Sequence, residues 1–397
     1  LRFLLQFRRY ADALVDTFLF ALAIITLLFF VSFGLELVLG NRTIKFLKTV
    51  PRLVSINPPR VSVIIPARNE EREIEVALQS VLTQNYDNLE VLAVNDRSTD
   101  ATGAILAQMA EQYPELRVVN ISELPARWLG KNHALYTGAR QATGQLLLFT
   151  DADVVMHRDA LSKAVQYLLA QRLDHLTCLP SQTSPSLPLR VFIATFGFFF
   201  ALNTRPWRVK RPNRWHIGIG AFQLIRADFY HRIGGHIPIA LRPDDDMMLG
   251  KLIKQNGGRQ EMLWGKGVMS VAWYHSIREL IAGLMKNAFA GVGYSFFLVL
   301  TSTIALFGFM IFPFLAVFLT TGKTLWLNVA ALAVLVLMFW DNTRFVGLRR
   351  WYIVGFPFAT LLFIYILWKA ALKTIFSGGI EWRGTRYALK ELRSNKL

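Results

Sequence analysis

Cys178 is the only cysteine in the chain, so no internal disulfide can form and no multi-cysteine metal site exists. A lone thiol of this kind reads as a small buried hydrophobe. Histidine is scarce as well: seven residues, none at the HxxxH spacing of a helical zinc site. There is no GxSxG elbow to present a nucleophilic serine and no GxxxxGK[ST] loop to cradle a nucleotide triphosphate. Internal repeats and low-complexity tracts are absent too. Negative charge is short, with 27 Asp and Glu against 44 Lys and Arg, a net charge of +17. Such an excess is the usual footprint of nucleic-acid binding. Here the basic residues border apolar runs, Arg42, Lys45, Lys48, Arg52 and Arg60 after the first run and Arg344, Arg349 and Arg350 between later ones. Those positions face anionic headgroups and keep positive loops inside, so no nucleic-acid partner is expected.

Apolar residues are plentiful. They make up 53% of 397 residues and are gathered in blocks. The runs Phe18–Leu39, with Glu36 its only charge, Ser295–Leu319, Leu325–Trp340 and Trp351–Leu367 approach or reach the length that crosses ~30 Å of hydrocarbon. The first is too long for a signal-peptide core and lacks a small-residue cleavage site, so it reads as an uncleaved anchor. Val191–Leu202 is too short to cross and is expected to be a buried core helix or an interfacial segment. Arg205, Arg208, Lys210, Arg211 and Arg214, interleaved with Trp207 and Trp215, follow it as a headgroup-level belt. An integral membrane protein results.

Between the anchor and the later runs, strand and helix signals alternate. Val61–Ile65, Leu89–Val94, Leu116–Val119 and Leu146–Phe149 read as strands. Glu70–Gln84 places Ile74, Ala77, Leu78, Val81 and Leu82 on one helical face, with Glu70, Glu71 and Glu73 in its first turn. Another helix runs through Ile105, Leu106 and Met109, and a short one follows Trp128-Leu-Gly-Lys131. This alternation predicts a doubly wound α/β domain. Ligands in such domains bind beyond the carboxyl ends of the strands, where strand order reverses. Three polar turns, Ala67–Glu70, Asn95–Asp100 and Asp151–Asp153, would open on that one edge.

Two acidic clusters carry the chemistry. Asp151 and Asp153 directly follow an apolar strand, where carboxylates are costly unless solvated or metal-bound. Mg²⁺ or Mn²⁺ with one or two carboxylates and substrate phosphates fits them, Asp153 as the main ligand and Asp151 nearer the nucleoside. Asp96 can accept from a ribose or base. Lys131, at a helix start, can hold phosphate. In the second cluster, Asp244-Asp-Asp246 opens a helix that ends at Gly257-Gly258. Capping accounts for part of it; a proton-accepting carboxylate accounts for the rest.

These residues together resemble a membrane-bound family 2 glycosyltransferase with a GT-A catalytic domain. The matching pieces are Pro66-Ala-Arg-Asn-Glu70, Asn95-Asp-Arg-Ser-Thr-Asp100, Trp128-Leu-Gly-Lys131, Thr150-Asp-Ala-Asp153 and Asp245-Asp-Met-Met-Leu249, spread in order over Pro58–Leu252. The resemblance implies nucleotide-sugar contacts at Pro66, Ala67, Arg68, Asn69, Glu70, Asp96, Lys131, Asp151 and Asp153. It also implies a catalytic base at Asp246 beside Asp245, and inverting, metal-dependent transfer. The order of anchor, catalytic domain and later spans looks like the lipid-directed members, of hopanoid-associated, carotenoid and ceramide type. The tail Glu381-Trp-Arg-Gly-Thr-Arg-Tyr387 is similar to a juxtamembrane Trp-x-Gly-Arg-x-Tyr element of such enzymes. Asn95-Asp96 stands where the family often has two aspartates. Gly283-Leu-Met-Lys-Asn287 replaces the Gln-x-x-Arg-Trp of processive synthases, which favours single-sugar transfer and leaves Lys286, with Trp273, on the leaving-group and acceptor side.

The expected divisions are 1–57 with the anchor at about 18–39, 58–286 as the GT-A domain, 287–372 with about three spans, and 373–397 as a basic tail. The expected partners are a UDP-sugar or related donor, a lipid acceptor and a bacterial-type inner or plasma membrane, with the catalytic domain in the cytoplasm. Three later spans would leave the tail on the other side, while its Lys373, Arg383, Arg386, Lys390, Arg393 and Lys396 favour the inside. A processive polysaccharide synthase, a non-catalytic scaffold or nucleotide-sugar sensor, and a transporter are the alternative readings.

Overall fold

The computed structural model describes residues 2–211 and 215–395, with side chains from Tyr10 onward; Arg214 and Lys396 lie outside the described residues. Helix α1 (Arg2–Thr43) leads in, followed by a strictly alternating half-domain. This comprises β1 (Val61–Ala67), α2 (Ile74–Leu82), β2 (Leu89–Asp96), α3 (Thr102–Gln112), β3 (Leu116–Ile121), α4 (Gly130–Gln141) and β4 (Leu146–Phe149). The second half holds β5 (Val154–Met156), α5 (Ala160–Ala170), β6 (His175–Leu179), β7 (Ser181–Thr183) and α6 (Leu187–Thr204). It continues with β8 (Gln223–Arg226), α7 (Ala227–Arg232), α8 (Asp245–Gln255), β9 (Gln260–Trp264), β10 (Met269–Ala272) and α9 (Ile277–Gly291).

Seven strands make one sheet in the order β3-β2-β1-β4-β8-β6-β9. Strands β1 to β4 pair in parallel, while β8 runs antiparallel to both of its neighbours. The order reverses between β1 and β4, so the turns after these two strands flank the crevice of an open α/β sheet. One apolar layer joins α2, α3 and α5 to one face through residues such as Leu78, Leu106 and Val165. A second joins α4, α7 and α8 to the other through Leu135, Phe229 and Ile253. Both faces are covered, as parallel strands with near-continuous apolar runs require.

Helix α2 buries the five residues its periodicity marks. It starts at Ile74, four residues later than the sequence reading. The preceding turn is held in another way: the Glu71 carboxylate accepts from the Ala101 amide, and the Glu70 amide donates to Thr102 Oγ1 at 2.8 Å. The turn after β1 is thus stitched to the turn after β2 before the helix begins.

After α9 come α10 (Phe296–Ala305), a π-helical stretch Leu306–Ile311, α11 (Phe312–Leu319), α12 (Gly322–Val346) and α13 (Phe356–Ser377). Five stretches among the described residues are long and apolar enough to cross a membrane: Tyr10–Thr43, Leu187–Arg208, Phe296–Leu319, Gly322–Val346 and Arg350–Ser377. The second contains the run Val191–Leu202, which lies within the longer helix α6 of 18 residues. It is nonetheless bracketed by β7, of the three-stranded sheet β5-β10-β7, and by β8 of the seven-stranded sheet. A single helix that leaves and rejoins the same α/β unit cannot cross a bilayer. Helices α1 and α12 run side by side in parallel, with Asn41 donating to Asn342 at 3.3 Å and Arg42 paired to Asp341 at 3.0 Å.

The tail is ordered rather than a simple basic extension. Gly378, at φ +69, ends α13 and the chain turns into a hairpin, β11 (Gly379–Trp382) and β12 (Thr385–Ala388), then α14 (Leu389–Ser394). Asn395 donates to the Pro238 carbonyl at 3.0 Å, and Arg393 to that of Tyr294 at 2.8 Å.

Candidate active site

The carboxyl edge of β1, β2 and β4 is assembled by backbone strain and polar stitching. Asn69 and Arg97 both adopt left-handed φ, +56° and +55°, uncommon outside glycine. Asn69 spends its side-chain oxygen on the Thr99 amide, at 2.8 Å, and its own amide on Ser98. Its visible task is joining two turns. Asp96 is almost fully buried and receives both arms of Arg97 at 2.7 and 3.0 Å, with Arg68 at 3.7 Å. The expected nucleoside acceptor is therefore wrapped by two guanidinium groups. Gly130, the first residue of α4, lets that helix approach Asp96, because a Cβ there would strike the carboxylate.

The two acidic clusters meet on Lys131. Its ammonium lies 2.7 Å from Asp151 and 3.6 Å from Asp245, across a cleft in which the Lys131 and Asp151 side chains are 30% and 36% exposed. Burial opposes the lysine's charge, but Asp151, Asp245 and Asp246 overrule it and raise its pKa. Burial likewise disfavours the Asp151 carboxylate, yet Lys131 holds it below the usual range. Gly220 joins the clusters a second time. Its amide donates to Asp246 Oδ2 at 3.0 Å, and a Cβ on it would fall 2.8 Å from Asp151 Oδ2. Only a residue without a side chain lets the two carboxylates share this space.

Asp246 sits at the start of α8 and also accepts from the Met247 amide at 2.8 Å. Burial, followed by the like charge of Asp245, pushes it up to about 7. Asp245 is raised as well, by burial first, although Lys131 pulls the other way. A carboxyl poised near neutrality, beside a paired one, suits proton transfer.

Asp153 is pushed up to about 7 by burial, then by Asp151 and Glu70. Among the described residues no three Asp, Glu, His or Cys side chains form a cage for a metal. Magnesium-type sites use one or two carboxylates and take their remaining oxygens from substrate phosphates. An all-oxygen set of Asp153 with Asp151 beside it fits that pattern.

Lys286 of α9 is driven down to about 8 by burial and by Lys131. It lies near Asp245 and Asp151, with its ammonium 3.9 Å from the centre of the Trp382 ring. Trp273 packs against Phe196 at 4.9 Å and Tyr274 at 5.2 Å. Tyr274, which sequence reasoning passed over, is influenced by the acidic cluster: burial and then Asp153 push its hydroxyl up to about 12. Pairing of β10 with β5 brings it there, since Val271 sits opposite Val154. Gly220 and the hairpin residues Trp382 and Arg383 were also missed as site residues. The Gly218-Ile-Gly220 pattern ahead of β8 was the available signal for the first. The hairpin gave only a family likeness.

Comparison with known proteins agrees with this geometry. Residues 62–234 match the model of glycosyl transferase family 2. A 4,4'-diaponeurosporenoate glycosyltransferase of Staphylococcus aureus (strain USA300) is 25% identical over 352 residues, covering 86% of this chain and 91% of its own. The counterpart from the bovine strain RF122 / ET3-1 is 24% identical over the same coverage. Among solved structures, a mannosyltransferase from Pyrobaculum calidifontis in complex with GDP-Man and Mn²⁺ is similar in fold, with a TM-score of 0.53 and 22% identity. That match covers 90% of this chain and 99% of that one. Residues 62–234 are thus a glycosyl transferase family 2 domain of GT-A fold, and the chain that carries it is a glycosyltransferase.

Proposed function

We propose that the protein transfers a single sugar, with inversion, from a nucleoside-diphosphate sugar to a hydroxyl of a membrane lipid or isoprenoid. The observation that carries the reading is the meeting of Asp151 and Asp246 over Gly220. One carboxylate belongs to the turn at the β1–β4 crevice, where a donor would bind, and the other to a helix start that offers a base.

Ionised Asp246 accepts the proton of the acceptor hydroxyl as that oxygen attacks the anomeric carbon from the face opposite the diphosphate. The bond between anomeric carbon and diphosphate oxygen breaks, and its electron pair leaves with the diphosphate. Lys286 and Lys131 set positive charge along the cleft where that negative charge grows. Mg²⁺ or Mn²⁺ at Asp153 and Asp151 would supply Lewis-acid charge to the same leaving group. Asp96, Arg68 and the turn Pro66–Glu70 form the nucleoside end, with a UDP-sugar as the first donor to test.

The acceptor reading rests on the side of the cleft that faces apolar helices. Phe192 of α6, Leu280 and Leu284 of α9 and Ile366 of α13 form one cluster, with Trp273 and Tyr274 packed against it. Tyr274 in turn neighbours Asp153. An isoprenoid or acyl chain lying among these helices would bring its polar end towards the carboxylates. The diaponeurosporenoate glycosyltransferases support an acceptor of this extended type. Nucleotide sugars are made in the cytosol, which sets the catalytic unit on that face.

In membranes supplied with a panel of labelled nucleotide sugars, label should enter extracted lipid and stop when divalent cations are chelated. Asp246→Asn should lower the rate about 10²–10⁴-fold while calorimetry shows donor affinity unchanged. Full activity in the purified variant would remove Asp246 as the base.

A further inference from the structure

The tail hairpin reaches back to the carboxyl edge of the sheet and touches it at the point where the donor would lie. Arg383 Nη2 is 2.6 Å from Glu70 Oε1, and its Nη1 donates to the Arg68 carbonyl. Arg68 returns a bond to the Arg383 carbonyl at 2.6 Å. One residue earlier, Trp382 covers the Lys286 ammonium, and Ile380 and Trp382 line the same recess as Lys131 and Asp245.

The backbone at this spot is unusual. Arg383 and Gly384 have φ +48 and +79, the paired left-handed conformation of a two-residue hairpin turn. Asparagine, aspartate or glycine usually fills the first of these positions. A long arginine held there costs stability and points to a task for the side chain.

The charges say which task. Arg68, Lys131, Lys286 and Arg383 gather along one edge. Burial and the neighbouring cations Arg97 and Arg383 lower the Arg68 pKa, and Arg383 is also among the groups that depress Lys286. Carboxylates already face three of them, Asp96 at Arg68, Asp151 and Asp245 at Lys131, and Glu70 at Arg383. The Arg383–Glu70 pair is 39% and 25% exposed, so it is a weak contact that a stronger anion can displace. An arginine fork matches phosphate oxygens in a way a lysine does not.

We propose that the C-terminal hairpin is part of the donor site: Arg383 leaves Glu70 to bind the donor diphosphate, and Trp382 holds Lys286 beside it. This rests on the reading of the donor as a nucleoside-diphosphate sugar. The hairpin follows α13 directly, so the last apolar helix and the donor site are mechanically continuous.

The test is calorimetry on the full chain in lipid nanodiscs with Mn²⁺, titrating UDP and GDP, with uridine and guanosine measured by competition. Arg383→Ala should weaken the bound nucleoside diphosphate by about tenfold or more and leave the matching nucleoside unchanged. Arg383→Lys should fall between, and Trp382→Ala should raise KM for the donor. Unaltered diphosphate affinity in Arg383→Ala overturns the proposal. Equal losses of nucleoside and diphosphate also overturn it, because the hairpin would then only brace the fold. If the unmodified chain binds neither UDP nor GDP, the donor reading itself fails, and that result is distinct from either of the others.

Discussion

At the scale of single residues, the site is defined by who neutralises whom. Lys131 serves two carboxylates, so Asp246 is left without a cation of its own and is pushed up to about 7 by burial and Asp245. The base form is the ionised one, so transfer should rise as pH passes upward through about 7. Lys286 is charged below about 8 and neutral above it, so the rate should fall on that side. Asp245→Asn removes the like charge and should move the acid limb to lower pH. Lys286→Gln should abolish the alkaline limb. A pH–rate profile of each variant decides, and an acid limb unmoved in Asp245→Asn would detach it from Asp246. Gly220 makes a steric prediction at the same scale. Gly220→Ala puts a methyl 2.8 Å from Asp151 Oδ2, tighter than carbon and oxygen tolerate. Activity should drop at least about tenfold, as for a misplaced catalytic group, while thermal unfolding of the domain shifts little.

At the scale of elements, regular structure was the more legible part. The β-branched run Val61–Ile65 lies within β1, Leu146–Phe149 is β4, and the five apolar residues read on α2 are the five it buries. These positions were visible because period and burial coincide. Leu78 is fully buried in the layer between α2 and the sheet. Leu78→Ala should therefore cost about 2–5 kcal/mol, read as a lower unfolding temperature with the pH–rate profile unchanged in shape. Helix starts were less legible. The acidic residues before α2 looked like favourable first-turn charges, yet Glu71 caps the neighbouring turn at Ala101 instead. That competition depends on a strand 30 residues away and leaves no trace in local pattern. The same holds for α6, whose ends are set by Ser186 and by Arg205 in a left-handed cap rather than by the limits of its apolar run.

At the scale of the whole molecule, contacts at the ends of the apolar helices lead to a prediction about the parity of membrane crossings. The tail hairpin lies on Glu70, and Asn395 bonds to Pro238, so the end of the described chain is on the same side as the catalytic sheet. The lower end of α12 is there too, where Phe345 stacks on Trp264 at 5.5 Å and Lys266 bonds to the Arg344 carbonyl. Two crossings, Phe296–Leu319 out and Gly322–Val346 back, satisfy both facts. On that prediction Arg350–Ser377 begins and ends on the catalytic side, as α6 does. An even number of later crossings would put the basic tail on the side that the positive-inside rule favours. In proteoliposomes, Thr321→Cys should react with an impermeant thiol reagent from the side opposite to Ser55→Cys and Ser394→Cys. Buried Cys178 gives little background. Labelling of all three from one side would rule this topology out.

The order of residues along the chain was enough to determine an α/β unit between apolar segments, the polar turns after β1, β2 and β4, and the acidic pairs of the candidate site. Alternation and composition are local properties, and a sequence displays them directly. Only the tertiary structure decided that Lys131 would join Asp151 to Asp245, that Gly220 would seat Asp246 beside Asp151, and that Arg383, more than 300 positions away, would lie on Glu70. Those are contacts between distant segments, set by strand order and by how many times the chain crosses the membrane, and neither is written in any window of neighbouring residues.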